Sequence, residues 1–243
     1  MELGEAVAIA LLAFGAAFVG TISGFGFALL IVPPLSFVVG VKEAVVLSNV
    51  LGSAWLMAMF VRLRRDVAWR TVVPLIVAAF LGMPFGLLLI EAVSARTLQI
   101  ILAVNVLAAT ALIWRGVTFS AHGLAFDGLA GFISGVLNTS TSMNGPPIVL
   151  HLQNQGMAPV PFRATLSAFF VASSLFALAL YLVAGRIDGH VLASVGVGLP
   201  GLSAGLIAGQ AAFRRLNAAR FRTFVIAVLF ASAVMVLVRA ATG

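Results

Sequence analysis

The sequence predicts an all-α integral membrane protein built as two inverted repeats of five helical segments, each repeat opening with a broken or re-entrant pair. Three observations carry this expectation. Apolar residues make up 62% of the chain and charged residues only 9%, whereas a soluble domain carries about 25% charged residues. With a mean hydropathy of +1.18 the chain cannot cover a water-facing surface, so lipid must be its solvent. The second observation is an ordered series of internal sequence matches. The third is a set of loop charges that change places between the two halves.

Ten apolar segments can be marked, at about 4–20, 25–40, 44–62, 70–91, 97–115, 124–138, 143–153, 161–184, 190–211 and 221–241. A full crossing needs roughly 20 residues. The third, fourth, fifth, eighth, ninth and tenth segments meet that length. The first, second, sixth and seventh are short or interrupted by Gly, Pro and polar residues, and they form two adjacent pairs. Gly20-Thr21-Ile22-Ser23-Gly24 lines up with Gly131-Phe132-Ile133-Ser134-Gly135, and Pro33-Pro34 with Pro146-Pro147. Leu47-Ser48 then matches Leu166-Ser167, and Gly86 matches Gly205. The halves on this reading are residues 1–118 and 119–243.

Five segments is an odd number, so the second half should sit upside down relative to the first. With the N-terminus outside and the segments alternating, Arg62, Arg64, Arg65, Arg70, Arg115, Arg163, Arg214, Arg215, Arg220 and Arg222 fall on the cytoplasmic side. Lys42, Arg96, Arg186 and Arg239 fall outside. Ten against four is the bias that the positive-inside rule requires. It places both termini outside an inner or plasma membrane. The Arg-rich loop after the third segment has a counterpart near 185–190 with Arg186 alone, while the loop after the fourth has one Arg and its counterpart (212–222) four. Inversion demands that exchange. Trp69 and Trp114 sit beside Arg70 and Arg115, where interfacial tryptophans belong.

Composition also narrows function. The net charge of +7 is spread over short loops rather than massed on one polar face, which argues against nucleic acid as a partner. The chain has no cysteine, hence no disulfide, thiolate nucleophile or cysteine metal site. The acidic start, Met1-Glu2-Leu3-Gly4-Glu5, lacks the basic region of a signal peptide, so the first apolar run is expected to be retained. The middles of the long segments carry no Asp or Glu, which disfavours acidic cation sites. Neither a metal-ligand cluster nor a nucleophile with its base is visible, so no metal, cofactor or enzymatic activity is expected. Seryl chemistry at Ser140 or Ser142 would have only His151 as a base.

The chemistry that remains lies in the interrupted pairs. The first carries Ser23, Gly24 and Gly26, followed by Pro33-Pro34. The second carries Ser134, then Asn138, Thr139, Ser140, Thr141, Ser142, Met143, Asn144 and Gly145, then Pro146-Pro147. Irregular backbone at membrane depth is tolerated only where it lines a cavity or is buried in protein, and paired breaks in two halves point to a transport site. A helix restarting after a break offers free N–H groups and the positive end of its dipole. Ser, Thr and Asn add neutral donors, and Pro pairs suit the first turn of a restarting helix. The expected ligand is a small anion. Gly20-x-x-x-Gly24 and Gly131-x-x-x-Gly135 also read as small-residue helix contacts, and 138–145 also reads as a loop outside the membrane. Arg163 reads either as an interfacial anchor that snorkels or as an oxyanion ligand. His151 reads as a hydrogen-bonded structural residue or as a carrier of a coupling proton. Asn49, with Ser48, is a secondary ligand candidate, and Trp55 and Tyr181 read as core or lipid-facing aromatics.

At Gly131–Gly135, Asn144-Gly145-Pro146-Pro147-Ile148-Val149-Leu150, Pro161-Phe162-Arg163-Ala164-Thr165-Leu166 and Phe169-Phe170 the sequence resembles the TauE/SafE family of sulfite exporters, also called the toluene sulfonate uptake permease family. The Gly20–Pro34 motif and the two-repeat layout fit as well, so the resemblance spans nearly the whole chain. It implies transport of sulfite, sulfonates or related sulfur-containing anions, in a direction it does not specify. The pattern departs from the family at Asn138–Asn144, where relatives run through a compact glycine-rich turn into Gly-Gly-Pro-Pro. The expected function is secondary transport by alternating access. A non-transporting scaffold subunit and an anion channel are the rival readings, and a membrane enzyme comes last.

Overall fold

A computed structural model describes residues 2–23, 26–115 and 124–213, with residues 230, 234–236 and 238. The described residues are helical or in short connections, without a strand. The helices are α1 (Leu3–Ser23), α2 (Phe27–Leu35), α3 (Val41–Leu63), α4 (Trp69–Ala92), α5 (Ala95–Arg115), α6 (Leu124–Thr141), α7 (Gly145–Asn154), α8 (Pro159–Val183) and α9 (Gly189–Phe213). Five of them contain stretches long and apolar enough to cross a membrane, at Leu3–Ile22, Val41–Ala58, Trp69–Ala92, Val160–Val183 and Gly189–Ala212. The chain is therefore a multi-pass membrane protein. The tenth expected segment lies almost wholly outside the described residues.

The first segment differs from the expectation. α1 is a continuous helix of 21 residues, because Gly20 does not break it but packs against the ring of Trp55. The interruption falls after Ser23. Likewise α6 runs unbroken for 18 residues, through Asn138 to Thr141. Only the second member of each pair is short. α2 has nine residues and α7 ten, which at 1.5 Å per residue is about half of the ~30 Å hydrocarbon layer.

The two Pro pairs play different parts. Pro146 and Pro147 sit in the first turn of α7, where the missing N–H groups have no helical partner in any case. Pro33 and Pro34 instead close α2, which stops at Leu35. Ser36 completes that end, its backbone N–H donating to Val32 O and its hydroxyl to Pro33 O at 2.7 Å.

Contacts between helix ends give each element a direction. Glu5 of α1 and Glu43 of α3 both reach His190 at the start of α9, at 3.1 and 2.6 Å. Lys42 donates to Glu91 O at the end of α4, and Arg186, beyond α8, pairs with the Glu91 carboxylate at 3.0 Å. These groups define one end of the molecule, the Glu43 end. At the other, Ala68 N, just past the Arg64–Asp66 turn, donates to Thr165 Oγ1 near the start of α8. α6 lies parallel to α4, with Gly131 and Gly135 against Leu75 and Ala79, and Gly82 and Gly86 against Phe132 and Val136. α9 lies parallel to α1 in the same way, Gly201, Gly205 and Gly209 resting on the carbonyls of Ala10, Phe14 and Phe18. Hence α1 enters from the Glu43 end and α2 returns to it, while α6 enters from the Arg64 end and α7 returns there.

These glycine contacts are backbone on backbone, the geometry small residues allow in membranes. The Gly131-x-x-x-Gly135 pattern is accordingly a helix contact. A Cβ on Gly135 would overlap Ala79 O, whereas one on Gly128 would meet open space. Gly135→Ala is therefore expected to cost about 1–3 kcal/mol, as overpacking does. Gly128→Ala should leave stability unchanged. Thermal midpoints of the two variants in detergent check this, and equal midpoints would remove the packing argument.

Candidate functional site at the two helix breaks

The two breaks meet. A cavity of about 60 Å³ is lined by Gly26, Phe27, Ala28 and Leu29 at the start of α2, and by Asn138, Ser142, Met143, Asn144 and Gly145 at the α6–α7 break. α3 contributes Ser48, Asn49, Gly52, Trp55 and Leu56, and α8 contributes Phe170 and Ser174. A water needs roughly 10–15 Å³ of such space, so the cavity has room for a few waters or one small polyatomic ion. No charged residue lines it.

Local backbone chemistry shapes both breaks. Gly26 caps α2 in the left-handed region, at φ 90°, which costs a glycine nothing. The first internal bond of α2 is Leu30 N to Gly26 O at 3.1 Å. The N–H groups of Phe27, Ala28 and Leu29 precede it, as at any helix start, and all three residues face the cavity. At the second break Ser142 takes the left-handed conformation, φ 63°, alone among the described non-glycine residues. Such a conformation costs a side chain roughly 1–2 kcal/mol and persists where its surroundings hold it. Here Ser142 N donates to Asn138 O at 2.9 Å and its hydroxyl to Ser48 Oγ at 3.2 Å. Ser134 Oγ then ties the start of α7 back onto α6 by donating to Asn144 O at 2.7 Å. Because Pro146 and Pro147 lack N–H groups, the α7 start presents Gly145 N–H, its dipole and the neighbouring side chains.

Side-chain amides stitch the walls together. Asn49 Nδ2 lies 3.2 Å from Asn138 O, 3.3 Å from Val45 O and 3.4 Å from the Tyr181 hydroxyl. Asn138 Nδ2 donates to Ser173 O and Asn144 Nδ2 to Ser173 Oγ, both at 3.1 Å. Asn105 of α5 donates to Thr141 Oγ1 at 3.1 Å and Met143 O at 3.4 Å. The cavity is thus uncharged, its walls mostly apolar with the polar groups gathered at the two breaks, and it lies among α2, α3, α6, α7 and α8.

Of the residues singled out in the sequence, Gly26, Ser48, Asn49, Asn138, Ser142, Asn144 and Gly145 line this cavity. The run 138–145 is not an exposed loop: Asn138 to Thr141 finish α6 and are almost wholly buried. Thr139, Ser140 and Thr141 stand off the cavity. Their hydroxyls donate to Met83 O at 2.6 Å, Val136 O at 2.7 Å and Leu137 O at 2.9 Å. Ser134 likewise acts through Asn144. Arg163 lies in the exposed early part of α8, at the Arg64 end and away from the cavity. His151 is buried on α7 beside Phe126, its Nε2 3.3 Å from Asp127 Oδ1 and 2.8 Å from Gln155 Nε2, and does not reach the cavity either. Gly24 and the Ser23 side chain lie outside the described residues. Gly52, Trp55, Phe170 and Ser174 join Phe27, Ala28, Leu29, Leu56 and Met143 in the rest of the lining. Ser174 has a local signal, since Ser173-Ser174 is a polar pair in the middle of an apolar segment. Trp55 is buried, stacks on Phe27 at 5.7 Å and donates from Nε1 to Thr21 Oγ1 at 3.0 Å.

By fold the chain is a multi-pass helical membrane protein, with an uncharged cavity where its two helix breaks meet. The family model described as sulfite exporter TauE/SafE matches residues 9–236, and the chain belongs to that family, one of membrane transporters. No curated protein and no solved structure matches the chain.

Proposed function

We propose that this protein is a secondary transporter that moves a small sulfur-containing anion, sulfite or a short sulfonate, across the inner membrane by alternating access. The observation that carries the proposal is that the start of α2 and the α6–α7 break line one uncharged cavity. An anion entering it meets the N–H groups and positive dipole end of α2, each helix end being equivalent to roughly half a charge. It also meets the dipole of α7 and the polar side chains of Asn49, Asn138, Ser142 and Asn144. A fixed cation would bind an anion tightly and hold it. Neutral donors bind it and release it, which suits transport.

The mechanism follows from inversion of residues 1–118 and 119–243, with the site between them. Support comes from the opposed directions of the two short pairs and from the exchange of partners, α1 lying on α9 and α4 on α6. The Glu43 end, with few basic residues, faces outside, and the end bearing Arg64, Arg65, Arg70 and Arg163 faces the cytoplasm. The absence of cysteine makes this testable. Val39→Cys, beyond α2, is expected to react with an impermeant thiol reagent from outside, and Gln155→Cys, beyond α7, only after permeabilisation. Labelling of both from one side would exclude inversion.

Alternating access itself is tested by exchange. In proteoliposomes loaded with unlabelled sulfite, uptake of radiolabelled sulfite is expected to run several-fold faster than into empty ones. Uptake that ignores the internal anion and follows voltage alone would mean a channel. No uptake of any tested anion would leave a scaffold.

A further inference from the structure

A second cavity, of about 210 Å³, opens at the Glu43 end between α3, α4, α8 and α9. Its rim carries Lys42, Glu43, Arg186 and Asp188, and its floor is Val46, Ile90 and Tyr181, all buried. Tyr181 is fully buried. Its hydroxyl donates to Thr139 O at 2.8 Å and accepts from Asn49 Nδ2 at 3.4 Å. Asn49 lines the central cavity. One side chain and its hydrogen-bond partner therefore separate a charged outer chamber from the neutral inner one, and Val46 and Asn49 sit one turn apart on α3 along the same route.

We infer that the 210 Å³ chamber is the outer vestibule of the substrate path and that Tyr181 is the gate closing it off from the central cavity. The ring fills the passage. The hydroxyl latches it to both halves of the chain, to Asn49 of α3 and to the last turn of α6. A buried tyrosine needs partners for its hydroxyl, and two modest hydrogen bonds hold a side chain shut while letting it swing when the helices part. The vestibule rim balances two cations against two carboxylates, so it admits an anion without trapping it. This inference rests on the transport reading for the meaning of the path, but the barrier can be measured without flux.

The test uses a single reporter, Ser48→Cys, in the central cavity. An impermeant methanethiosulfonate is applied to vesicles from the face on which Asp188→Cys reacts. With Tyr181 present the Ser48→Cys thiol is expected to react slowly from that face, relative to Asp188→Cys. Tyr181→Phe keeps the ring and removes both hydrogen bonds, and should raise the rate about tenfold. Tyr181→Ala should raise it further. Unchanged rates in both variants, or a Ser48→Cys thiol that reacts as fast as Asp188→Cys with Tyr181 in place, would overturn the gate. Sulfite flux through the cysteine-free protein is measured separately. A rate increase without flux in any form would sink the transport reading and leave the barrier standing. Flux with no rate increase would do the reverse.

Discussion

Asn144→Asp is expected to reduce anion uptake about a hundredfold or more while leaving the protein folded. The exchange is nearly isosteric, and Asn144 contacts Ser173 Oγ through its amide at 3.1 Å. The Ser173 hydroxyl, which donates to Phe170 O at 3.2 Å, can turn its one proton to a carboxylate instead, so the contact is kept with the roles reversed at the cost of that bond. What changes is the cavity, which has no charged lining residue. A carboxylate roughly 5 Å from a bound anion repels it by about 3 kcal/mol at an effective dielectric near 20, which corresponds to more than a hundredfold in affinity. Radiolabelled sulfite uptake reads the loss, and an unchanged thermal midpoint shows that it is not misfolding. Uptake within a factor of two of the parent protein would place the anion elsewhere.

The second large effect is expected at Asn49→Leu. Leucine has a similar volume but no donor. Asn138 O would keep its bond from Ser142 N, whereas the Tyr181 hydroxyl would lose the Asn49 amide. An apolar branch would also enter a cavity of only about 60 Å³. Loss of such buried partners costs about 1–3 kcal/mol. The variant should therefore lose both thermal stability and most of its uptake. Asn105→Leu, at a residue that binds the same break through Thr141 and Met143 from outside the cavity lining, should lose stability with a smaller loss of uptake. Equal effects of the two on uptake would mean that Asn49 supports the fold and does not meet the substrate.

The cavity lining was legible in the sequence where local chemistry betrayed it. Asn138 and Asn144 stood out as polar residues in an apolar stretch, Gly26 as a glycine after an interruption, and Pro146-Pro147 as a helix start. Thr139, Ser140 and Thr141 belonged to the same polar run but turn away, because small hydroxyl side chains inside a helix satisfy nearby carbonyls. Nothing in a linear pattern tells Ser142, which leaves the helix, from Ser140, which stays in it. Gly131 and Gly135 carried two readings that spacing alone leaves open, and the carbonyls of Leu75 and Ala79 beneath them settle the matter as packing. Trp55 and Phe170 reach the cavity only because α3 and α8 pass beside it, a tertiary fact without a local signature, whereas Ser174 announces itself in the Ser173-Ser174 pair. Pro33-Pro34 matched the second Pro pair in sequence yet ends a helix where the other begins one. The third, fourth, eighth and ninth segments are long apolar helices with small shifts of boundary, since hydropathy reads length well, whereas the apolar part of the fifth, Ala95–Ala111, is shorter than a span. The helical continuity of α1 was missed, since a glycine such as Gly20 reads as an interruption until its packing partner is known.

Carriage of an anion through the cavity between the two helix breaks leaves a direct signature in uptake. The most direct measurement compares radiolabelled sulfite uptake into proteoliposomes holding the parent protein, the Asn144→Asp variant or no protein. Saturable uptake by the parent protein, competed by short sulfonates, is expected, with uptake close to the protein-free level for Asn144→Asp. Saturable uptake that is the same in both proteins, or none in either across sulfite and short sulfonates, would contradict it.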